Sequence, residues 1–436
     1  MNFINKNKLK SKFVKNSFLG LIFNVFSIFF SILLIPIIID YLGKEDYGIW
    51  ITIFAICNWI NFLDGGLGNS LRNELTISLK EKNNKKSKAL ISTGYISLFV
   101  FLVILFVIII LINSFIDWNS VFSNDSINYN LFSLFIFGSF LLQMTLKIIS
   151  KIFFSFDKSY MSFLIPALIN LIYLLVFYIL NKYDVGIKMW NTGIVYSIVP
   201  LIVLFLISSI FYLLDEPEYR PKLKYFDKKL VRLILVDGLK LFFIQMNAGV
   251  FLALTPFFIT FWFSPELTSE YHVSVKYYGF MLVLLNIILQ NLWGEITKSF
   301  LIESKEKIKN ILKFSGFISL FFLFIISIMT FFSKDIYYIW LGEEFIVSNE
   351  INFACATLIG VIVISKSMVV FLNATNSTKI QSYLSIFNLI FYFPLLYFSF
   401  HIMKFGITGI ILVPVFLFLI QSIIAGFEVK KTIYLK

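Results

Sequence analysis

The chain has 436 residues, 59% of them hydrophobic and 14% charged, with a formal charge of +12, two cysteines and two histidines. So apolar a composition excludes a soluble globular domain of this length. The apolar runs are about twenty residues long, which suits helices crossing a hydrocarbon core of roughly 30 Å and not the ten-residue alternating strands of a barrel. An all-α polytopic membrane protein is expected.

In chain order, spans are predicted near 17–39, 47–64, 89–113, 131–154, 160–181, 190–213, 233–262, 273–297, 311–333, 351–373, 380–400 and 407–428. These twelve divide into an N-terminal six-helix bundle over 1–213, a cytoplasmic linker over 214–232 and a C-terminal six-helix bundle over 233–436, the two bundles being expected around a central cavity. Cytoplasmic loops carry the excess of Lys and Arg. With both termini inside, the outer loops hold only Lys44, Lys182, Lys188, Lys334 and Lys404 of the 37 Lys and Arg. Topology thus explains the net charge, and no nucleic-acid partner is implied. The first sixteen residues, rich in Lys, read either as a solvated anchor or as an amphipathic segment against anionic lipid. No cleavable signal is expected.

Several chemistries are disfavoured. The loops leave no room for a catalytic domain, and no Gly-rich phosphate loop followed by Lys-Ser or Lys-Thr is present. Cys57 and Cys355 fall within spans, so neither a disulfide nor a metal site is indicated. His272 and His401 are isolated, and no cofactor is implied.

The informative stretch runs from Asp64 to Asn73, where Gly65, Gly66 and Gly68 separate a carboxylate from Arg72 at the inner end of span two. Ionisable groups at membrane depth are costly and usually face a bundle interior or an aqueous cavity. Cys57, Asn61 and Asp64 share one helical face, which should turn inward. The glycines could bend the chain back, bringing Arg72 to Asp64, or permit a close helix approach. Alternatively the segment is a plain helix end with Arg72 at the headgroups. The other intramembrane charges are mainly cationic: Lys147, Lys240, Lys276 and Lys366. Asp237 and Lys240 lie three apart and could neutralise each other. Lys151 reads as snorkelling, and Lys276 as either a lumen cation or an interface anchor. Lys366, between Ser365 and Ser367 in mid-span, should face the cavity. A cation-lined cavity suits an anionic diphosphate. A faint repeat is also visible: Pro36 and Pro256 each sit in an apolar run that leads through an acidic turn to a Tyr opening the next span, and Pro or Gly breaks often flank transporter sites.

The residues Leu34-Ile35-Pro36, Tyr41-Leu42-Gly43, Glu45, Tyr47-Gly48-Ile49-Trp50, Asp64-Gly65-Gly66-Leu67-Gly68-Asn69 and Leu71-Arg72-Asn73 resemble the N-terminal signature of Wzx-type lipid-linked oligosaccharide flippases. These belong to the multidrug/oligosaccharidyl-lipid/polysaccharide exporter superfamily. Sparser echoes occur at Gly238-Leu239-Lys240, Glu270-Tyr271, Leu292-Trp293 and Trp340-Leu341-Gly342. The resemblance implies a bacterial inner-membrane transporter, not an enzyme. It would move a polyprenyl-diphosphate-linked oligosaccharide (an O-antigen, capsule or similar repeat unit) to the outer leaflet by alternating access. Membrane lipids are implied partners, with a glycan polymerase and glycosyltransferases beside them. H⁺ or Na⁺ could couple the step through Asp64, Asp237 or Glu295. A multidrug exporter of the same superfamily and a membrane-embedded glycan polymerase are the alternatives.

Overall fold

The computed structural model describes residues 2–122, 124, 126–232, 251–301, 305–375 and 379–434, with residues 2–15, 17, 59–67, 287, 290–291, 294, 297–298, 301, 305, 379, 382 and 432–434 described by their backbone alone. Among these residues there is no strand. The chain divides into two compact units, Met1–Gln245 and Met246–Lys436.

The first unit contains α1 (Asn2–Leu42), α2 (Lys44–Lys80), α3 (Asn84–Asn113), the short α4 (Trp118–Phe122), α5 (Tyr129–Ser155), α6 (Ser159–Lys182) and α7 (Lys188–Ile210). The second contains α8 (Phe251–Trp262), α9 (Pro265–Leu301), α10 (Lys305–Phe331), the short α11 (Ser333–Leu341), α12 (Asn349–Ala374), α13 (Lys379–Tyr397) and α14 (Gly406–Tyr434). Among the described residues, nine helices are long and apolar enough to cross a membrane. With no water in the hydrocarbon to take up backbone groups, such segments satisfy their own hydrogen bonds as helices. Polar residues set the breaks between them. The Asn83 side chain accepts from Lys86 N to start α3, and Asn128 accepts from Leu131 N to start α5. Gly43, at φ +83°, turns α1 into α2 within one residue, a backbone conformation that a side chain would strain.

Both units are built to one plan. In the first, α5 packs against α2, α3 and α7; in the second, α12 packs against α9, α10 and α14. Those two helices are central. Burial covers 56% of the apolar stretch of α5 and 67% of that of α12, against 11% for α3. The second long helix of each unit, α2 or α9, runs 37 residues. Prolines lie inside the first, fifth and sixth long helices of each: Pro36, Pro166 and Pro200, then Pro256, Pro394 and Pro414. A buried Asn ties the short helix to its unit in both cases. Asn113 Oδ1 accepts from Trp118 Nε1 at 2.7 Å and Ser133 Oγ at 2.9 Å. Asn352 Oδ1 accepts from the Tyr278 and Tyr337 hydroxyls at 2.8 and 2.9 Å. The faint repeat around Pro36 and Pro256 is therefore the edge of a duplication that runs through both units.

One expectation changes. Span two does not end at Asp64: α2 continues through Gly65, Gly66 and Gly68 to Lys80 without a turn. A helix that supplies its own hydrogen bonds absorbs glycines at membrane depth. The chain is not folded back there, so eight residues, about 12 Å of helix, separate Asp64 from Arg72 along one axis. The segment that follows α7 is tied to the first unit. Lys222 N donates to Ser92 Oγ and Asp227 N to Thr93 Oγ1, while Lys158 pairs with Asp215 at 3.1 Å, so this segment lies along α3 and the α5–α6 turn.

Candidate functional site

Among the described residues, the sequence-predicted cations fall on the two central helices and the helices they contact. In the first unit, α2 lays Gly68, Asn69, Ser70 and Arg72 beside the last two turns of α5. Gly68 and Ser70 are buried. Lys151 Nζ on α5 donates to Asn69 Oδ1 on α2 at 3.0 Å, which makes it an interhelical contact and not merely a snorkelling chain. The exposed Arg72 guanidinium stands over the Phe154 ring at 4.3 Å, and Ser155 Oγ donates to the Arg72 carbonyl at 3.0 Å. Cation–ring stacking of this kind holds a guanidinium in place while leaving its five N–H donors available. Lys147, one turn further into the membrane on α5, is exposed.

In the second unit, the half-buried Lys366 on α12 donates to Asn286 Oδ1 on α9 at 2.9 Å. Its neighbour Ser367 is joined to Ser319 on α10 by a 2.7 Å hydrogen bond. Neither Lys147, Lys366 nor Arg72 forms an ion pair among the described residues, whose ion pairs are carried by other lysines such as Lys86 with Glu74 and Lys158 with Asp215. An amide oxygen orients an ammonium without cancelling its charge. Two of the three Lys366 donors stay available to an anion.

Lys276 lies exposed on α9, ten residues or about 15 Å along the helix from Asn286, so it is not brought to Lys366. Pro36 and Pro256 sit inside α1 and α8. Asp237 and Lys240 lie outside the described residues, and the side chains of Asp64, Gly65 and Gly66 are likewise not described. Among the described residues, no group of three or more His, Cys, Asp or Glu could hold a metal ion.

The sequence reading missed the two asparagines. Asn69 and Asn286 are separated from their lysines by 82 and 80 residues, and only the helix pairing brings them together. It also missed a second interior polar contact. Pro200 has no N–H, which leaves the Tyr196 carbonyl one turn earlier without its helical donor. Gln143 Nε2 on α5 donates to that carbonyl at 3.0 Å and to the Ser197 carbonyl at 3.2 Å. Gln in an otherwise apolar span was the available signal.

A duplicated, all-helical membrane protein with cations on its central helices has the architecture of a transporter. No family model matches the chain. It is 26% identical over 321 residues to a Yersinia pseudotuberculosis protein named "Putative O-antigen export protein", with 71% of this chain and 70% of the relative covered. Its fold is similar to that of a MATE-family multidrug resistance transporter of the MOP superfamily in an inward-facing conformation, with a TM-score of 0.76 at 12% identity, covering 96% of this chain and 98% of the other. An outward-facing structure from the same family gives a TM-score of 0.65 at 14% identity, covering 97% and 95%. The chain thus has the fold of known membrane transporters. That fold is shared with a MATE transporter of the MOP superfamily, and the name of the Yersinia relative agrees with the resemblance to Wzx-type proteins carried by the sequence.

Proposed function

We propose that this protein flips a polyprenyl-diphosphate-linked oligosaccharide, an O-antigen or similar glycan repeat unit, from the cytoplasmic to the outer leaflet of a bacterial inner membrane by alternating access. The observation that carries this reading is Lys366. A lysine in mid-span, held at 2.9 Å by a neutral amide and lacking an ion pair among the described residues, is a costly group to keep unless an anion visits it. A diphosphate supplies oxygens that take charge-assisted hydrogen bonds from such an ammonium. Arg72, Lys147 and Lys151 near the end expected to be cytoplasmic give the same preference where a cargo made inside the cell is first met. The name of the Yersinia relative supports the same class of cargo.

The fold neighbours are multidrug transporters, which keeps drug export as the second reading. A cationic drug would be served by intramembrane carboxylates, whereas the described intramembrane charges here are mainly Lys. The test is deletion of the gene in its own host. Accumulation of lipid-linked oligosaccharide on the inner leaflet, restored by the intact gene and without a change in resistance to cationic drugs, is expected. Altered drug resistance with no accumulation would overturn the reading. Glycosyltransferases and a glycan polymerase acting on the same repeat unit are the proposed partners.

A further inference from the structure

The duplication extends to the cations themselves. Lys147 stands eight residues before the last residue of α5, and Lys366 the same eight residues before the last residue of α12. Both are therefore about 12 Å from the corresponding end of the corresponding central helix. Each central helix is joined to the 37-residue helix of its own unit by a lysine donating to an asparagine, Lys151 to Asn69 and Lys366 to Asn286. The second unit merges the two features in one residue: Lys366 occupies the Lys147 position and makes the asparagine contact. The first unit splits them over one helical turn, with Lys147 exposed and Lys151 bonded.

We propose that each unit carries its own oxyanion station on its central helix, Lys147 in the first and Lys366 in the second, each taking a phosphate or diphosphate group. This rests on the reading of the protein as a carrier of an anionic cargo and adds a second, equivalent station to it. Three features support the assignment. Each ammonium lacks an ion pair among the described residues, so an arriving anion displaces none of their carboxylates. Each is on the helix with the largest buried share among its unit's apolar spans, 56% for α5 and 67% for α12, so its position is fixed by packing on several sides. The first also has hydrogen-bonding neighbours of its own, Lys151 and the stacked Arg72 guanidinium around the last turns of α5, and the Lys366 amine is oriented by Asn286. Asn286 is a positioning residue, since it fixes the Lys366 amine without neutralising it.

The experiment is equilibrium binding of radiolabelled pyrophosphate to the full-length protein in detergent, with farnesyl diphosphate as competitor. Two pyrophosphates per chain are expected for the wild type, one for Lys147→Gln, one for Lys366→Gln and none for the double variant. Lys147→Arg and Lys366→Arg should each keep two. Stronger competition by farnesyl diphosphate identifies a lipid-linked anion as the ligand and equal competition a free one; either outcome supports the stations. A single site lost with Lys366→Gln and untouched by Lys147→Gln would overturn the proposal, as would no binding to the wild type. Inner-leaflet accumulation of oligosaccharide on deletion, found alongside either of those results, would leave the flippase reading standing and remove only the paired stations. If Lys366→Gln fails to fold, Asn286→Asp serves in its place: it keeps the lysine and should reduce the count to one, and an unchanged count of two overturns the proposal.

Discussion

Asn286→Asp is the most discriminating single change that the geometry offers. The amide oxygen lies 2.9 Å from Lys366 Nζ, so an aspartate in the same rotamer puts a full negative charge at that distance with almost no change in volume. Two unit charges so close attract by about 6 kcal/mol at an effective dielectric of 20. If about half of this goes into desolvating the new carboxylate, about 3 kcal/mol remains to compete with an incoming oxyanion, a weakening of roughly 100-fold. Helix packing is preserved, so the protein should reach the membrane in normal amounts. The assay is restoration of surface glycan in a deletion strain, compared at matched membrane abundance with Asn286→Gln, which keeps a neutral amide. Asn286→Asp should fail and Asn286→Gln should restore at least part of the glycan. Full glycan with Asn286→Asp would refute the reasoning, because an ammonium already paired with a carboxylate would then be compatible with transport.

Other changes probe the frame that holds the stations. Gln143→Leu removes the 3.0 Å donor from the Tyr196 carbonyl, already freed by Pro200, leaves it only the longer contact from the Tyr173 hydroxyl at 3.4 Å, and should destabilise the protein by about 1–3 kcal/mol, read as a lower melting temperature in detergent. At Gly193 an added Cβ would meet Phe132 at 2.6 Å and Ile136 at 2.8 Å, so Gly193→Ala should cost about 1–3 kcal/mol, whereas Gly316→Ala, with open space around it, should leave the melting temperature the same or higher. Asp46, in the first turn of α2, has its carboxyl raised above its ordinary 3.8 chiefly by burial and next by Glu45, against a smaller lowering by Lys188. A raised carboxyl penalises the folded protein once ionised, so stability falls as pH climbs through and above 3.8 and the penalty is absent well below it. Asp46→Asn should therefore raise the melting temperature at pH 7 and have little effect near pH 3; an equal gain at both values would show that the charge is not the cause.

Much of the architecture was legible because hydropathy and loop charge act over whole segments. Each predicted span except the start of the seventh, which falls in residues 233–250 outside the description, coincides with helical residues. What stayed hidden depends on contacts between distant segments. The glycines at 65–68 look like a stop in a sequence, yet backbone that can find no water continues as helix and carries α2 on to Lys80. The short helices α4 and α11 have too few apolar residues to register in a span-length window. Pro166 and Pro394, and Pro200 and Pro414, are as visible as any residue, but unequal loops put them out of step, and only the matching order of helices after α5 and α12 makes them counterparts. The same holds for the candidate site. Lys366 was identifiable as a charge in mid-span, whereas Asn286 and the equivalence of Lys147 required the helix pairing.

Reconstitution tests the central claim most directly. The purified full-length protein is placed in liposomes with a fluorescent polyprenyl-diphosphate oligosaccharide in both leaflets, and the fraction reaching an impermeant quencher is followed over time. The account predicts that wild-type protein makes nearly all of the lipid accessible, while Lys147→Gln combined with Lys366→Gln leaves the inner-leaflet fraction protected. Protection that is the same with wild-type protein as in protein-free liposomes, or full access with the double variant, would contradict it.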